Sequence, residues 1–162
     1  MHSVDRTGVT RYATQNEDEF VITRVVAAPR GMVFDAWTKP EHVSKWLLGP
    51  EGWTMPVCEI DLRPGGSWRY VWRKDNGAEM EMSGTVREVV RPERLVTTEK
   101  WGPEWPETVN TVVLTEEGGQ TTITLTITYP SKEAREAALA TGMKDGTELS
   151  FARLEQLLGT LV

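Results

Sequence analysis

The sequence predicts an α+β domain. A curved antiparallel sheet of six to seven strands wraps around a long C-terminal helix, with two short helices between the first and second strands. Three patterns carry this expectation. Ser67 to Gly84 reads as a hairpin with Trp68, Tyr70 and Trp72 on one face. Near the C-terminus, Ile123, Leu125, Ile127 and Tyr129 alternate with Thr122, Thr124, Thr126 and Thr128, an apolar face against a threonine face. From Ser131 onward, Ala134, Ala138, Met143, Thr147, Phe151, Leu154 and Leu158 recur at a spacing of three to four, as on one side of a helix.

Residues 1–18 are polar and lack periodicity, so they read as a flexible tail; residues 19–162 read as one domain. Phe20 to Val26 is the first strand. Pro29 opens a helix over Arg30 to Trp37. Thr38 and Glu41 have capping-box spacing, which starts a second short helix through about Trp46. Leu47 to Trp53 is a loop unusually apolar for a surface segment. Met55 to Leu62 is the second strand, and Arg63-Pro64-Gly65-Gly66 suits a type II turn.

In the hairpin that follows, Asp75-Asn76-Gly77 is the turn, because Asn and Gly tolerate positive φ. Pairing Lys74 with Ala78 sets Trp72 opposite Met80, Tyr70 opposite Met82 and Trp68 opposite Gly84. The same register sets Arg73 opposite Glu79 on the other face. The second strand runs to about Val90, and Arg91-Pro92-Glu93 leads into a strand from Leu95 to Trp101. The loop from Gly102 to Pro106 carries Trp105. With Gly118-Gly119 as a two-residue turn, Leu114 faces Ile123, Val112 faces Leu125, and Asn110 faces Ile127. Asn110 is then the polar side chain on an apolar face. Ser131 is a good N-cap for the last helix. Gly142 and Gly146 interrupt that helix at roughly 1 kcal/mol each, either kinking it or thinning it where something packs close.

At 162 residues, a single core of useful size is expected. The formal net charge of −6 argues against a nucleic-acid partner or an anionic membrane surface. The chain shows no apolar run of about 18 residues and no secretory leader pattern, so a cytoplasmic location is expected. Cys58 is the only cysteine, which excludes an internal disulfide and reads as a small buried residue. His2, in the tail, and His42, on a polar helix, are expected at the surface. They lack ligand spacing, so no metal and no cofactor are expected. No nucleophile elbow, catalytic triad or phosphate-binding loop is evident. Catalytic residues therefore stay unassigned.

A curled sheet gripping one helix encloses a space, which Ala134, Ala138, Gly142 and Gly146 enlarge. Gly84 opposite Trp68 leaves room on the sheet side. Trp68, Tyr70, Trp72, Met80 and Met82 then form the wall of a pocket, Trp53 and Trp105 its rim, and Asn110 and Met143 further contacts. Tyr129 and Glu88 are other candidate polar groups. The competing reading is a filled core.

The chain resembles the START/Bet v-type helix-grip (SRPBCC) superfamily. Within it, the chain resembles single-domain bacterial proteins named after the activator of heat-shock-protein-90 ATPase, the AHSA-type group. The resemblance lies in Ala28 to Thr38, Pro40-Glu41-His42 leading to Trp46, and Gly49-Pro50. It continues in Asp61 to Gly66, Gly84 to Glu88, Thr141 to Gly146, and Leu154 to Leu158. It covers roughly residues 19–159. Asp61 and Arg63 recur in this pattern and read as a turn-stabilising pair. Thr147 departs from it, because many relatives carry an aromatic residue there; a threonine facing inward would widen the pocket.

The resemblance implies the helix-grip fold and a spread of roles. The first expectation is binding of a hydrophobic or aromatic small molecule, lipid- or polyketide-like. The second is a cyclase or dehydratase using the same pocket, with Tyr70, Tyr129 or Glu88 as acid or base. The third is a co-chaperone-like interaction module. A homodimer is common in the family.

Overall fold

The computed structural model describes residues 7–161. Its elements are β1 (Thr10–Gln15), β2 (Glu19–Val26), α1 (Arg30–Thr38), α2 (Pro40–Trp46), β3 (Trp53–Ile60), β4 (Ser67–Lys74), β5 (Glu79–Val90), β6 (Arg94–Glu99), β7 (Thr108–Glu117), β8 (Gln120–Thr128), α3 (Lys132–Leu139) and α4 (Met143–Leu161). The eight strands form one antiparallel sheet in the order β1-β2-β8-β7-β6-β5-β4-β3. The apolar face of this sheet packs against α1, α2 and α4, and one hydrophobic core fills the layer between them.

Both hairpins take the register that side-chain alternation predicts. Trp68 pairs with Gly84, Tyr70 with Met82, Trp72 with Met80 and Arg73 with Glu79. Lys74 N–H donates to the Ala78 carbonyl at 2.8 Å, closing the turn. In the last hairpin Asn110 pairs with Ile127, Val112 with Leu125 and Leu114 with Ile123. Gly118 and Gly119 both have positive φ, which is the reason this turn takes glycine. The Asp61–Arg63 pair is also present, with Arg63 Nε 2.9 Å from the Asp61 carboxylate.

Five expectations need correction. Six to seven strands become eight, because Thr10–Gln15, read as part of a flexible tail, is an edge strand paired with β2. Residues 1–6 of that expected tail, His2 among them, lie outside the described residues. Strand β1 is hard to see in the sequence because it presents mostly exposed polar residues and packs only Tyr12 on the core. Tyr12 stacks on Phe20 with centroids 5.8 Å apart and donates to Glu148 at 2.7 Å.

The second correction concerns Thr38, which is not a cap. It ends α1, and its Oγ1 donates back to the Phe34 carbonyl at 2.7 Å. Lys39 takes the N-cap position, with Pro40 first in α2. Thirdly, the single long C-terminal helix is two helices. Gly142 has φ of 79°, a left-handed conformation that ends α3. Gly146 has the other role foreseen for it: a Cβ there would stand 3.4 Å from Pro50, so the helix is thin where the loop before β3 crosses it. Fourthly, His42 is half-buried, with Nδ1 enclosed and without a hydrogen-bond partner. Helix α2 is sandwiched between α4 and β3, which leaves this short helix less outer surface than its polar sequence suggests.

The fifth concerns Gly84, which does not leave space. An added Cβ would lie 1.8 Å from the Thr98 carbonyl oxygen and 2.8 Å from Trp68 Nε1. Glycine is required there because the Trp68 indole N–H donates to Thr98 O at 3.0 Å across that point. Strand β3 lies on the far edge of the sheet, and its pairing with β4 shifts register between Thr54 and Val57, at Pro56.

Helix α4 is fixed to β1 and β2 by charge. Arg24 is buried on β2 and reaches Glu155 at 2.7 Å and Glu148 at 3.2 Å, both on α4. Its Nη1 also donates to Thr10 Oγ1 on β1 at 2.6 Å. The guanidinium lies 5.3 Å from the Phe151 ring centre, which helps offset its desolvation.

Gly84→Ala should destabilise the protein by about 1–3 kcal/mol or more, because overpacking against backbone cannot relax by rotamer change. Urea unfolding checks this, and an unchanged midpoint would refute the close approach. Cys58 is half-buried, and burial, with a smaller contribution from Glu59, pushes its thiol up to about 11 from 9.0. At pH 8 its thiolate population should be about a hundredfold below that of an unshifted thiol. Alkylation rates against a small-thiol standard test this, and equal rates would contradict it.

Candidate functional site

The sheet and helices enclose a cavity of about 580 Å³ between the concave face and the start of α4. Its composition follows from strand phase. On β4 the inward positions are Trp68, Tyr70 and Trp72; on β5 they are Met80, Met82 and Val86. On β6, β7 and β8 they are Leu95, Thr97 and Glu99, then Thr108, Asn110 and Val112, then Leu125 and Ile127. Helix α4 contributes Met143, Gly146, Thr147, Ser150 and Phe151. The Thr147 side chain faces the cavity, as the departure from the family pattern anticipates, and its Oγ1 donates to the Met143 carbonyl at 2.9 Å.

The nine residues named from the sequence all line this one cavity: Trp53, Trp68, Tyr70, Trp72, Met80, Met82, Trp105, Asn110 and Met143. Met80 and Trp105 are the most exposed of them, at 39% and 37%, and mark the rim. Trp53 begins β3 instead of lying in the loop, with the Lys74 ammonium 5.7 Å from its ring centre. Glu88 is not among the lining residues; its carboxylate pairs with Arg94 at 3.0 Å.

The tryptophans are walls because each buried indole N–H needs an acceptor. Trp46 donates to Ala36 O at 2.8 Å and Trp72 to Leu47 O at 2.8 Å, while Trp68 is held by Thr98 O. Trp101 stacks on Trp72 with centroids 5.5 Å apart and planes 6° apart. The loop that accepts from Trp72 is itself held on α4. Gly49 N–H donates to Ser150 Oγ at 2.9 Å, and Arg153 Nη1 donates to Gly49 O at 2.7 Å.

Sequence reasoning missed Glu99. One of its carboxylate oxygens accepts from Asn110 Nδ2 at 2.6 Å and the other from Trp101 Nε1 at 2.8 Å. Thr108 Oγ1 donates to Asn110 Oδ1 at 3.2 Å, which turns the amide nitrogen toward Glu99. Strand phase was the available signal: Glu99 lies two and four residues from Thr97 and Leu95, so it shares their inward face. Burial raises the Glu99 pKa, and the bonds from Trp101 and Asn110 offset part of that rise. Burial, reinforced by the Glu99 charge, pushes the Tyr129 phenol up to about 12. Burial chiefly, then Cys58 and Glu99, also raises Tyr70. Both phenols are therefore neutral near pH 7, and the Tyr129 hydroxyl donates to Met143 Sδ at 3.9 Å. Among the described residues no group of three His, Cys, Asp or Glu could hold a metal ion, and no helix is long and apolar enough to cross a membrane.

A carboxyl whose folded pKa lies above its ordinary value of 4.5 binds protons more tightly in the folded state. Stability is then lost as pH rises through that window. Glu99→Gln removes the effect, so the stability of the variant minus that of the parent should increase as pH rises from about 4.5. Thermal unfolding across pH reads this difference. A difference that stays flat or falls would remove the assignment of a raised pKa.

The comparisons agree with the geometry. The family model described as Activator of Hsp90 ATPase homolog 1-like protein matches residues 27–159. A crystal structure from Rhodobacter sphaeroides is similar at 27% identity and a TM-score of 0.88, covering 95% of this chain and all of that one. One from Nitrosomonas europaea is similar at 26% identity and 0.80, covering 91% of this chain and 97% of that one. The solution structure of an AHSA1-like protein from Aeromonas hydrophila shares the fold at 21% identity and 0.63, covering 80% and 90%. No curated protein matches the chain. With most of its length matched and the helix-grip fold in place, the chain belongs to the Activator of Hsp90 ATPase homolog 1-like family.

Proposed function

We propose that this protein binds a hydrophobic, aromatic small molecule in the cavity between the sheet and α4. The observation that carries the reading is a volume of about 580 Å³ beside tryptophans whose indole N–H groups are tied to acceptors. Volume of this size, apolar lining and a few convergent polar groups are the usual form of a small-molecule site. Stacked and tilted aromatic walls favour planar ligands by dispersion and quadrupole contacts. Trp68, Tyr70, Trp72, Met80 and Met82 act as the wall, Trp53 and Trp105 as the rim, and Asn110 and Met143 as further contacts. A cytoplasmic setting fits the single unpaired cysteine.

Thr147 offers a test that avoids truncating core tryptophans, which costs about 3–5 kcal/mol of stability. Thr147→Phe places a ring in the cavity from a half-buried position. N-phenyl-1-naphthylamine, a neutral apolar fluorophore, should bind the parent saturably at one to one. Its affinity should fall at least tenfold, by the order of 1.4 kcal/mol or more, in Thr147→Phe. No saturable response in the parent, or equal affinity in a folded variant, would overturn the proposal.

A further inference from the structure

Among its described lining residues the cavity holds one carboxyl side chain and no basic one. Among the described lining residues Glu99 is the sole carboxylate, and no lysine, arginine or histidine joins it. Each Glu99 oxygen accepts one hydrogen bond from the protein, and a carboxylate has about four acceptor positions. Both protein groups are committed donors. The indole of Trp101 can only donate, and the Asn110 amide is oriented by Thr108. Tyr70 on β4 and Tyr129 just after β8 line the same cavity and feel the Glu99 charge, and both are neutral phenols. The site thus presents acceptor positions with no counter-ion among the described lining residues.

Aromatic rings lie beside the same point. Trp101 donates to Glu99 and stacks on Trp72, and Tyr70 lies edge-on to Trp72 at 5.8 Å. The face of an aromatic ring attracts a cation and repels an anion. A neutral donor would occupy an acceptor position but leave the carboxylate charge uncompensated. A carboxylate or phosphate ligand would set a second negative charge beside the first. The net charge of −6 on the chain acts in the same direction at longer range.

We propose that the ligand of this cavity is an aromatic or apolar amine whose ammonium group pairs with Glu99 inside the tryptophan–tyrosine wall. The inference rests on the small-molecule reading above and specifies the ligand class.

Two nearly isosteric probes separate the two readings: 1-naphthylmethylamine, cationic at pH 8, and 1-naphthylmethanol, neutral. Calorimetric titration should show the amine binding at least tenfold tighter than the alcohol. Lowering pH from about 8 to below the ordinary carboxyl value of 4.5 should shrink that preference, because a protonated Glu99 offers no charge to pair. Glu99→Gln should bring the ratio close to one. The inference is overturned if the parent binds both probes within about twofold, or if the preference is flat with pH or survives in Glu99→Gln. In each of those outcomes binding of the alcohol leaves the small-molecule reading standing. If neither probe binds the parent, both readings fall together. The pH series uses the parent alone, so it decides the matter even if the variant does not fold.

Discussion

Most of this architecture depends on satisfying buried indole N–H groups. An indole nitrogen removed from water without an acceptor costs on the order of 1–3 kcal/mol. Trp46, Trp68, Trp72 and Trp101 each meet that requirement at a different place: a helix carbonyl, a strand carbonyl, a loop carbonyl and a carboxylate. Each bond fixes a large ring in position and in angle. The rings cannot swing inward to fill the space without giving up those bonds. The cavity is therefore held open by hydrogen bonds at its periphery, and an apolar lining persists where simple collapse would close it.

The same requirement explains how much the sequence reveals. β-rich runs and turn residues locate seven of the eight strands, and period-two alternation sets both hairpin registers, because each hairpin has one face dense in Trp, Ile or Leu. It fails for β1, whose contribution is a ladder of backbone bonds and one tyrosine. Its tie to Arg24 and Glu148 is long-range and leaves no local pattern. Gly84 is instructive in a different way. Its pairing with Trp68 is legible, but its purpose depends on a carbonyl from the next strand, which pattern reading does not reach.

The cavity lining was legible because large aromatic and sulfur-bearing side chains crowd one strand face. Glu99 was harder to find, since a glutamate near the end of a strand usually faces solvent. Its character arises from three elements: burial by the sheet, an amide from β7 and an indole just beyond β6. The two hydrogen bonds and the desolvation act in opposite directions on its proton. Desolvation outweighs the two hydrogen bonds, so the buried carboxyl holds a proton more readily than an exposed glutamate does.

The irregular pairing of β3 with β4 has a consequence for assembly. Strand β3 is one border of an open sheet, and Pro56 stands where its register shifts, contributing no amide donor. The opposite border, β1, carries Arg11, Ala13 and Gln15 among its exposed residues. An incoming strand therefore meets a kinked ladder at one border and a polar one at the other. Neither border offers a flat, regular, apolar ladder for templated strand addition by a second copy.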